Sequence, residues 1–335
     1  MTDQTEEKRG EQPQVDSVVI GRNEGVRLEA CLRSLLTQTR RIVYVDSGST
    51  DKSVALAQSL GAEVVSLDLS RPFTAARARN AGLARLGQGT EHPDFVQFVD
   101  GDCAVDPTWV SRALAAFALH PDAVVVCGRR RERFPEASIY NRLCDREWNT
   151  PVGSARSCGG DALMRFSSLT AVGGYREDLI AGEEPELCIR LRQNGGTIWR
   201  IDAEMTLHDA AMTRFSQFWK RSKRAGHAFA EGASLHGGSS ERHWVPETRR
   251  AILWGGVVPA AAVLGAIVIH PALIGLVLIW AFQILRLGWA WRGEGRVGWE
   301  AALLWVPAKL AEAQGAIGFW VGRLLGRRRG LIEYK

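Results

Sequence analysis

The feature that most constrains this chain is a long, uncharged apolar stretch in its C-terminal third. From Ala251 to Leu285 the sequence contains no Asp, Glu, Lys or Arg. At about 1.5 Å per residue, one helix of this length would far exceed a hydrocarbon core of about 30 Å. His270-Pro271 lies near the middle, and proline disfavours helix at its own position and at the preceding one. The pattern therefore predicts a transmembrane helical hairpin over residues 249–292.

Charged and aromatic residues around the stretch indicate the orientation of the hairpin. Arg249 and Arg250 precede it, and Arg286, Arg292 and Arg296 follow it. Because Lys and Arg concentrate in cytoplasmic loops, we expect both ends in the cytosol and the chain in the inner (cytoplasmic) membrane. Tryptophans, which favour membrane interfaces, stand at positions 254, 280, 289 and 291. The alternative is a buried helix pair in a soluble domain.

The segment after the hairpin, residues 297–335, is apolar but also charged. It carries Glu300, Lys309 and Glu312, and leads into Arg327-Arg328-Arg329. A third crossing would export that basic cluster. We therefore expect an interfacial amphipathic helix with a basic tail, lying on an anionic leaflet.

The formal charge is unevenly distributed along the chain. Residues 242–335 hold twelve Lys or Arg against five Glu and no Asp, a net charge of +7, whereas the preceding residues carry −2. Nucleic acid is a common partner of basic proteins, but here the charge flanks apolar segments and does not line a polar face. The predicted partner is a membrane and not a nucleic acid.

The N-terminus and the cysteines indicate a cytosolic domain. Residues 1–14 are polar and lack the apolar core of a signal peptide, so we expect a disordered N-terminus. No CxxC pair occurs, which favours reduced thiols. The six cysteines are at positions 31, 103, 127, 144, 158 and 188.

Residues 17–128 alternate short apolar runs with amphipathic stretches, the pattern of parallel βαβ units. The runs "SVVI", "RIVYVD", "AEVVSL", "FVQFV" and "AVVVCG" predict strands, with a helix between each pair. We expect an α/β domain over residues 15–231, with a mostly parallel, Rossmann-like sheet flanked by helices, and a linker over 232–248. The dinucleotide-binding GxGxxG string is missing.

Polar residues follow several of these strands. Asn23 and Glu24 come after the first, Asp46 ends the second, and Asp100 and Asp102 end the fourth. Ligands of open α/β sheets bind beyond the carboxyl ends of the strands, which predicts one shared site. Helix caps at separate turns are the alternative.

The string "DGD" after the fourth strand favours a metal site. Asp100 and Asp102 are two residues apart, and in an extended chain they project to the same side. Their carboxylates would repel each other unless a cation bridged them, and Mg²⁺ or Mn²⁺ suits oxygen ligands and a diphosphate. A solvated turn is the plainer reading. Asp46 at a strand tip can accept hydrogen bonds from a base such as uracil.

Two later segments carry further candidates. Glu183 and Glu184 precede the predicted helix "EPELCIRLRQNG", where they are either a charged first turn or the source of a general base. In "TRFSQFWKRSKRAGHAFAEG", aromatic residues recur at helical spacing beside a basic face. Arg221 or Arg224 on that face is predicted to lie near a pyrophosphate or a lipid head group, unless the helix is simply packed by its aromatics.

The order of these motifs resembles a known family. "SVVIGRNEGVRLEACLRSLL", "IVYVDSGSTDKSV", "ARARNAGL", "FVQFVDGDCAVDPTWV", "CGGDALMRFSSLTAVGGYREDLIAGEEPELCIRLRQNGG" and "TLHDAA" together resemble a family 2 glycosyltransferase of the GT-A fold over about residues 15–230. The apolar hairpin resembles that of membrane-attached bacterial members that synthesise exopolysaccharide or other cell-surface glycans.

The resemblance implies a role for individual residues. Asp46 matches the aspartate that contacts the nucleobase, and Arg79 with Asn80 match the "RN" that helps bind the nucleotide, beside Asn23 and Glu24. Asp100 and Asp102 match the metal-binding DxD, and His208 matches a late histidine of the metal or diphosphate site. Glu184 takes the place of the catalytic base, with Glu183 as the alternative, and Asp161 faces the donor sugar or the acceptor, or else forms a turn.

The implied function is a metal-dependent inverting glycosyltransferase of the hexosyltransferase type. It would move a sugar from a nucleotide-diphosphate sugar to a hydroxyl of a lipid-linked or glycolipid acceptor, in the synthesis of cell-surface polysaccharide or glycolipid. The cofactor would be Mn²⁺ or Mg²⁺, and the catalytic domain would face the cytosol. The alternatives are a nucleotidyltransferase on a similar fold and a non-catalytic membrane scaffold with a degenerate sugar-nucleotide fold.

Overall fold

The computed structural model of the protein describes residues 13–326. The expectation of a disordered N-terminus falls almost entirely on residues 1–12, outside this range. The basic cluster of the predicted tail, in residues 327–335, also lies outside it.

The first part of the chain folds as the predicted βαβ succession. The strands β1, β2 and β4 are apolar and buried, as expected for parallel strands covered by helices, whereas β3 at the sheet edge is only half-buried. The elements are β1 (Val15–Gly21), α1 (Val26–Leu35), β2 (Ile42–Asp46), α2 (Ser53–Ser59), β3 (Glu63–Ser66), α3 (Ala75–Leu86) and β4 (Phe95–Asp100).

The second part adds the predicted fifth strand and several elements that the pattern did not reveal. The fifth apolar run forms β6, whereas the short strands β5, β7 and β8 and the long β9 were not predicted. The elements are β5 (Cys103–Val105), α4 (Trp109–Leu119), β6 (Ala123–Glu132), α5 (Ile139–Glu147), β7 (Gly153–Ser154), β8 (Ala162–Arg165), α6 (Phe166–Ala171), α7 (Glu183–Gln193), β9 (Thr197–His208) and α8 (Phe215–His236).

The nine strands within residues 13–326 belong to one mixed sheet, in which β3-β2-β1-β4-β8-β6-β9-β5 are successive neighbours and β7 pairs with β9. The strands β3, β2, β1 and β4 run parallel. The strand β8 is antiparallel to β4 and β6, and β6 runs parallel to β9. This confirms the predicted α/β class with a mostly parallel first half. Helices flank the sheet, and the core lies between them and the strands.

The C-terminal third forms long helices with a break at the predicted place. One continuous helix, Val245–Val268, comprises α9 (Val245–Ile252), a π-helical turn (Leu253–Val257) and α10 (Val258–Val268). The next, Pro271–Ala290, comprises a 3₁₀ segment (Pro271–Val277) and α11 (Leu278–Ala290). Both are long and apolar enough to cross a membrane, by length and composition alone. The last helix is α12 (Arg296–Leu324).

The helix α12 packs along α8 and also contacts the two apolar helices. Small residues allow the close approach: a Cβ at Gly226 of α8 would lie 1.9 Å from the Glu312 carbonyl oxygen, and a Cβ at Gly315 of α12 would lie 2.0 Å from that of Lys223. The helix α12 covers most of the segment predicted to form an interfacial amphipathic helix, and that location stays a prediction; its packing against α8 was not foreseen. The helix α8 also continues to His236, past the expected domain boundary at residue 231.

Polar contacts join α12 to α5. Arg142 donates to both carboxylate oxygens of Glu300 at 2.7 and 2.9 Å, and Trp305 Nε1 donates to Glu147 at 3.0 Å. The helix α12, which contacts the two apolar helices, is therefore fixed to the α/β domain by side chains as well as by packing.

We predict that Gly226→Ala destabilises the protein even though alanine is the better helix former by about 1 kcal/mol. The added methyl group would clash with the α12 backbone, and overpacking of this kind costs about 1–3 kcal/mol. The matched control is Gly238→Ala, because a Cβ there would meet nothing within 4 Å. Thermal unfolding of the full chain in detergent checks the prediction, and equal midpoints for the two variants would contradict it.

Candidate active site

The parallel register brings the ends of three strands side by side. Gly21 of β1 pairs with Asp46 of β2, and Ile20 of β1 pairs with Asp100 of β4. A cavity of about 460 Å³ opens at this edge, as the strand pattern predicted, and we call it the strand-end cavity. Its polar lining includes Glu24, Asp100, Asp102, Arg130 and His208.

Asp46 and Asn23 shape the turns beside this cavity. The Asp46 carboxylate accepts hydrogen bonds from the backbone N–H groups of Gly48 and Ser49 at 3.0 and 2.9 Å. Asn23 adopts a positive φ of 58°, a conformation that asparagine tolerates, and its side chain accepts from the Thr50 N–H at 2.7 Å. These bonds tie the turn after β1 to the turn after β2.

Asp100 lies in a buried network of acids and arginines. Arg79 donates to one of its carboxylate oxygens at 2.8 Å, and Arg130 donates to the other at 3.3 Å. Arg79 also pairs with Glu183 at 2.7 Å, and Arg130 pairs with Asp161 at 2.6 Å. Burial by itself raises the pKa of Asp100, but the two guanidinium groups outweigh it and hold that pKa below its usual value.

Asp102 and His208 form a pair that fits a divalent metal. The β5–β9 register places Cys103 opposite His208, which brings His208 Nε2 to 3.3 Å from Asp102 Oδ1. Neighbouring ligands of an octahedral ion such as Mg²⁺ are about 3 Å apart, and oxygen with imidazole nitrogen also suits Mn²⁺. Asp102 and His208 are therefore the residues that would hold the ion, whereas Asp100 is engaged by arginines.

Glu132 and Trp148 lie beside the imidazole ring of His208. Its buried Nδ1 has no hydrogen-bond partner within residues 13–326, and Glu132 Oε2 lies 3.9 Å away. Trp148 contacts the imidazole edge-on, with ring centroids 4.8 Å apart. The Arg130 guanidinium lies over the Trp148 ring at 5.4 Å. The metal candidate and the arginine network thus share one wall.

Glu184 occupies a different, thiol-lined position at the start of α7. Its Oε1 atom accepts from the Cys158 N–H at 2.6 Å and from the thiols of Cys158 and Cys188, both at 3.0 Å. Burial raises the pKa of Glu184, although these hydrogen bonds oppose the shift. A carboxyl group with a raised pKa in a cavity wall has the property required of a general base.

Glu184 lines a second cavity of about 640 Å³, which we call the helix-side cavity. Arg221 and Arg224 of α8 line both cavities, so the two adjoin at these arginines. Trp305 and Lys309 of α12 also line it. The helix-side cavity therefore lies between the α/β domain and the C-terminal helices.

Five predicted residues line neither the strand-end cavity nor the helix-side cavity: Asn23, Asp46, Arg79, Asn80 and Asp161. The Asn80 amide donates to the Tyr175 carbonyl and accepts from the Tyr175 N–H, both at 2.8 Å, and so links α3 to the loop before α7. Asp161 is fully buried and receives bonds from Arg130, Thr206 and the Asp100 N–H. It supports the network behind the strand-end cavity and does not face it.

Sequence reasoning missed Arg130, Glu132, Cys158 and Cys188. Arg130 had a usable signal, because it follows the predicted strand "AVVVCG" just as Asp46 and Asp100 end theirs. The other three gave none, since each contact depends on strands or helices that are distant in the chain.

Comparison with known proteins shows what this chain resembles. The model of the family described as Glycosyl transferase family 2 matches residues 17–172. The chain is 27% identical over 323 residues to the succinoglycan biosynthesis protein ExoA of Rhizobium meliloti, an alignment covering 92% of this chain and 94% of the relative.

Solved structures share the fold. A mannosyltransferase from Pyrobaculum calidifontis, solved in complex with GDP-Man and Mn²⁺, superposes with a TM-score of 0.61 at 17% identity, covering 92% of this chain and 88% of that one. TarS 1-349 from S. aureus superposes with a TM-score of 0.51 at 15% identity, covering 94% and 92%. The chain thus resembles family 2 glycosyltransferases over residues 17–172, resembles one relative along nearly its whole length, and shares the GT-A fold of the solved structures.

Proposed function

We propose that the protein is an inverting, divalent-metal-dependent transferase that moves a sugar from a nucleotide-diphosphate sugar to a hydroxyl group of a lipid-linked acceptor. The observation that carries the proposal is the pair of adjoining cavities. The strand-end cavity holds the metal candidate, the helix-side cavity holds the base candidate, and Arg221 and Arg224 line both.

The strand-end cavity is suited to the donor. A divalent ion held by Asp102 and His208 would neutralise negative charge on the departing nucleoside diphosphate. Arg221 and Arg224 supply further positive charge where the two cavities adjoin. The oxygens of a diphosphate bound there can accept hydrogen bonds from the guanidinium N–H groups. Asp46, Asn23 and Glu24 are proposed to bind the nucleoside part. The support is their position at the ends of β1 and β2, where ligands of this sheet type bind.

Glu184 is proposed as the base that receives the proton of the acceptor hydroxyl. Glu183 is the weaker candidate, because its carboxylate is committed to an ion pair with Arg79 at 2.7 Å. Transfer of the proton to Glu184 would leave the acceptor oxygen free to attack the anomeric carbon from the face opposite the diphosphate. A single base and a stabilised leaving group suffice for this displacement, which inverts the anomeric configuration.

The position of the helix-side cavity supports a membrane-bound acceptor. Residues of α8 and α12 line it, and α12 in turn packs against the apolar helices Val245–Val268 and Pro271–Ala290. Those helices expose large apolar side chains, including Ile267, Leu278 and Phe282, as expected for segments that face lipid. We propose that they form a hairpin in the inner membrane with the α/β domain in the cytosol. The likeness to a succinoglycan biosynthesis protein favours a role in exopolysaccharide synthesis.

Asp102→Asn is predicted to abolish metal-dependent stabilisation by the donor. A panel of UDP-, GDP- and dTDP-sugars is tested by thermal shift with and without Mn²⁺, and the best donor should raise the unfolding midpoint of the wild type only with the ion. The variant should lose that shift because the amide is a poor metal ligand. Asp122→Asn, at an exposed position away from both cavities, is the control. An unchanged shift in Asp102→Asn would contradict the metal assignment.

Glu184→Gln is predicted to lower the rate of sugar transfer by about 10²–10⁴-fold, the usual contribution of a general base, while donor binding persists. Because burial raises the pKa of Glu184, wild-type kcat/KM should fall with decreasing pH at a midpoint above 4.5, the ordinary value for a glutamate. Glu183→Gln should keep this acid limb in its pH profile. An acid limb that disappears in Glu183→Gln and survives in Glu184→Gln would assign the base to Glu183.

Leu278→Arg is predicted to reduce the fraction of the protein that stays in membranes after an alkaline wash. An arginine near the middle of a membrane helix costs about 2.5–3.5 kcal/mol on the insertion scale. Leu119→Arg is the matched control, because Leu119 of α4 is 77% exposed and Leu278 is 72% exposed. Equal membrane fractions for the two variants would count against the hairpin.

A further inference from the structure

Two buried thiols flank the proposed base. Cys158 Sγ and Cys188 Sγ are 3.8 Å apart, and each lies 3.0 Å from Glu184 Oε1. The three ligand-type atoms come from the loop before β8 and from the first two turns of α7, where Glu184 and Cys188 are four residues apart. The Cys158 N–H already donates a hydrogen bond to that oxygen at 2.6 Å. The two thiols around the same carboxylate oxygen are therefore not required to satisfy it.

The spacing of the two sulfur atoms matches that of two thiolates bound to one tetrahedral soft-metal ion. Two thiolates bound to one Zn²⁺ at about 2.3 Å are separated by about 3.8 Å at the tetrahedral angle. The observed separation of the two sulfur atoms is also 3.8 Å. A point above the plane of the three atoms lies about 2.3 Å from both sulfurs and about 2.1 Å from the carboxylate oxygen, which are ordinary Zn–S and Zn–O lengths.

We propose that Cys158, Cys188 and Glu184 form a second metal site, selective for thiophilic ions such as Zn²⁺, Co²⁺ or Cd²⁺, and that its occupation blocks sugar transfer. Binding forms two metal–sulfur bonds and one metal–oxygen bond. The two thiol protons leave to solvent, as metal binding to cysteines requires. The three protein ligands leave one tetrahedral position for water.

The helix-side cavity gives access to Glu184 of the proposed site, whereas Cys158 and Cys188 are buried and do not line it. Glu184 and Gly160, two residues after Cys158, both line that cavity. Gly159, between Cys158 and Gly160, has a positive φ of 82°, which glycine adopts without strain. The two residues that follow Cys158 therefore carry no side chain. A hydrated ion can therefore approach Glu184 from the side on which the acceptor is proposed to bind.

The two metal sites differ in chemistry. The strand-end pair of Asp102 and His208 offers oxygen and nitrogen and suits Mn²⁺ or Mg²⁺, whereas two thiolates select softer ions. An ion at the thiol site would bind Glu184 Oε1 and withdraw electron density from the carboxylate, which lowers its affinity for the proton of the acceptor hydroxyl. This inhibition rests on the proposed role of Glu184 as the base, but binding of the ion does not.

Co²⁺ titration of the full chain in detergent, with Mn²⁺ present in excess, tests the site. We expect a thiolate-to-cobalt charge-transfer band in the near ultraviolet that saturates at one equivalent in the wild type and is lost in Cys158→Ser and Cys188→Ser. Two controls should keep the band. Cys144→Ser alters a buried thiol of α5, and Cys103→Ser alters the thiol beside Asp102, at 3.6 Å.

The outcomes separate the alternatives. A wild type without the band, or a band lost in Cys103→Ser and kept in Cys188→Ser, would overturn the proposal. If a serine variant does not fold, as judged by its unfolding midpoint, Glu184→Gln replaces it and should weaken Co²⁺ binding at least about tenfold, since loss of even an outer partner costs that much.

A transfer assay then tests the functional consequence. Zn²⁺ should inhibit the wild type, and inhibition of Cys188→Ser should need at least about tenfold more Zn²⁺. A protein that shows the Co²⁺ band but transfers sugar normally with Zn²⁺ bound would retain the metal site and refute Glu184 as the base. The failure of one proposal is thus distinguishable from the failure of the other.

Discussion

The site depends on the neutralisation of three acids by two arginines. Asp100, Asp161 and Glu183 come from three separate segments and meet Arg79 and Arg130 in one network, which is buried apart from the 30% exposed side chain of Asp100. Buried carboxylates without partners would carry a large desolvation cost, so each guanidinium holds two acids in place. The same network fixes part of the lining of the strand-end cavity and the first residue of α7. Through Glu183 and Glu184, which are adjacent, the network connects the metal candidate to the base candidate.

The site also depends on the packing of α12 against α8. Close backbone approach at Gly226 and Gly315 leaves no room for larger residues, and it places Trp305 and Lys309 in the wall of the helix-side cavity. Arg221 and Arg224 of α8 line both cavities. A site made in this way belongs jointly to the α/β domain and to the C-terminal helix α12.

Much of the fold followed from periodicity, whereas the partners within the site did not. The strands β1 to β4 and β6 were predictable because their apolar runs are bounded by turn residues, and the sheet edge followed from parallel strands ending together. Of the three predicted metal residues, Asp102 and His208 lie side by side. The third, Asp100, also forms ion pairs with two arginines. Sequence spacing cannot reveal this, because the arginines lie 21 and 30 residues from Asp100.

The sequence by itself determined the α/β class of the fold, the βαβ order, the acids at the strand ends and the two apolar helices with their break before Pro271. These properties depend on local patterns of polarity, which a linear reading preserves. Only the tertiary structure decided that Asn80 and Asp161 support loops and the network, that Arg130 joins Asp100, and that two thiols close on Glu184. Those contacts join residues far apart in the chain, and their geometry is set by strand register and helix packing.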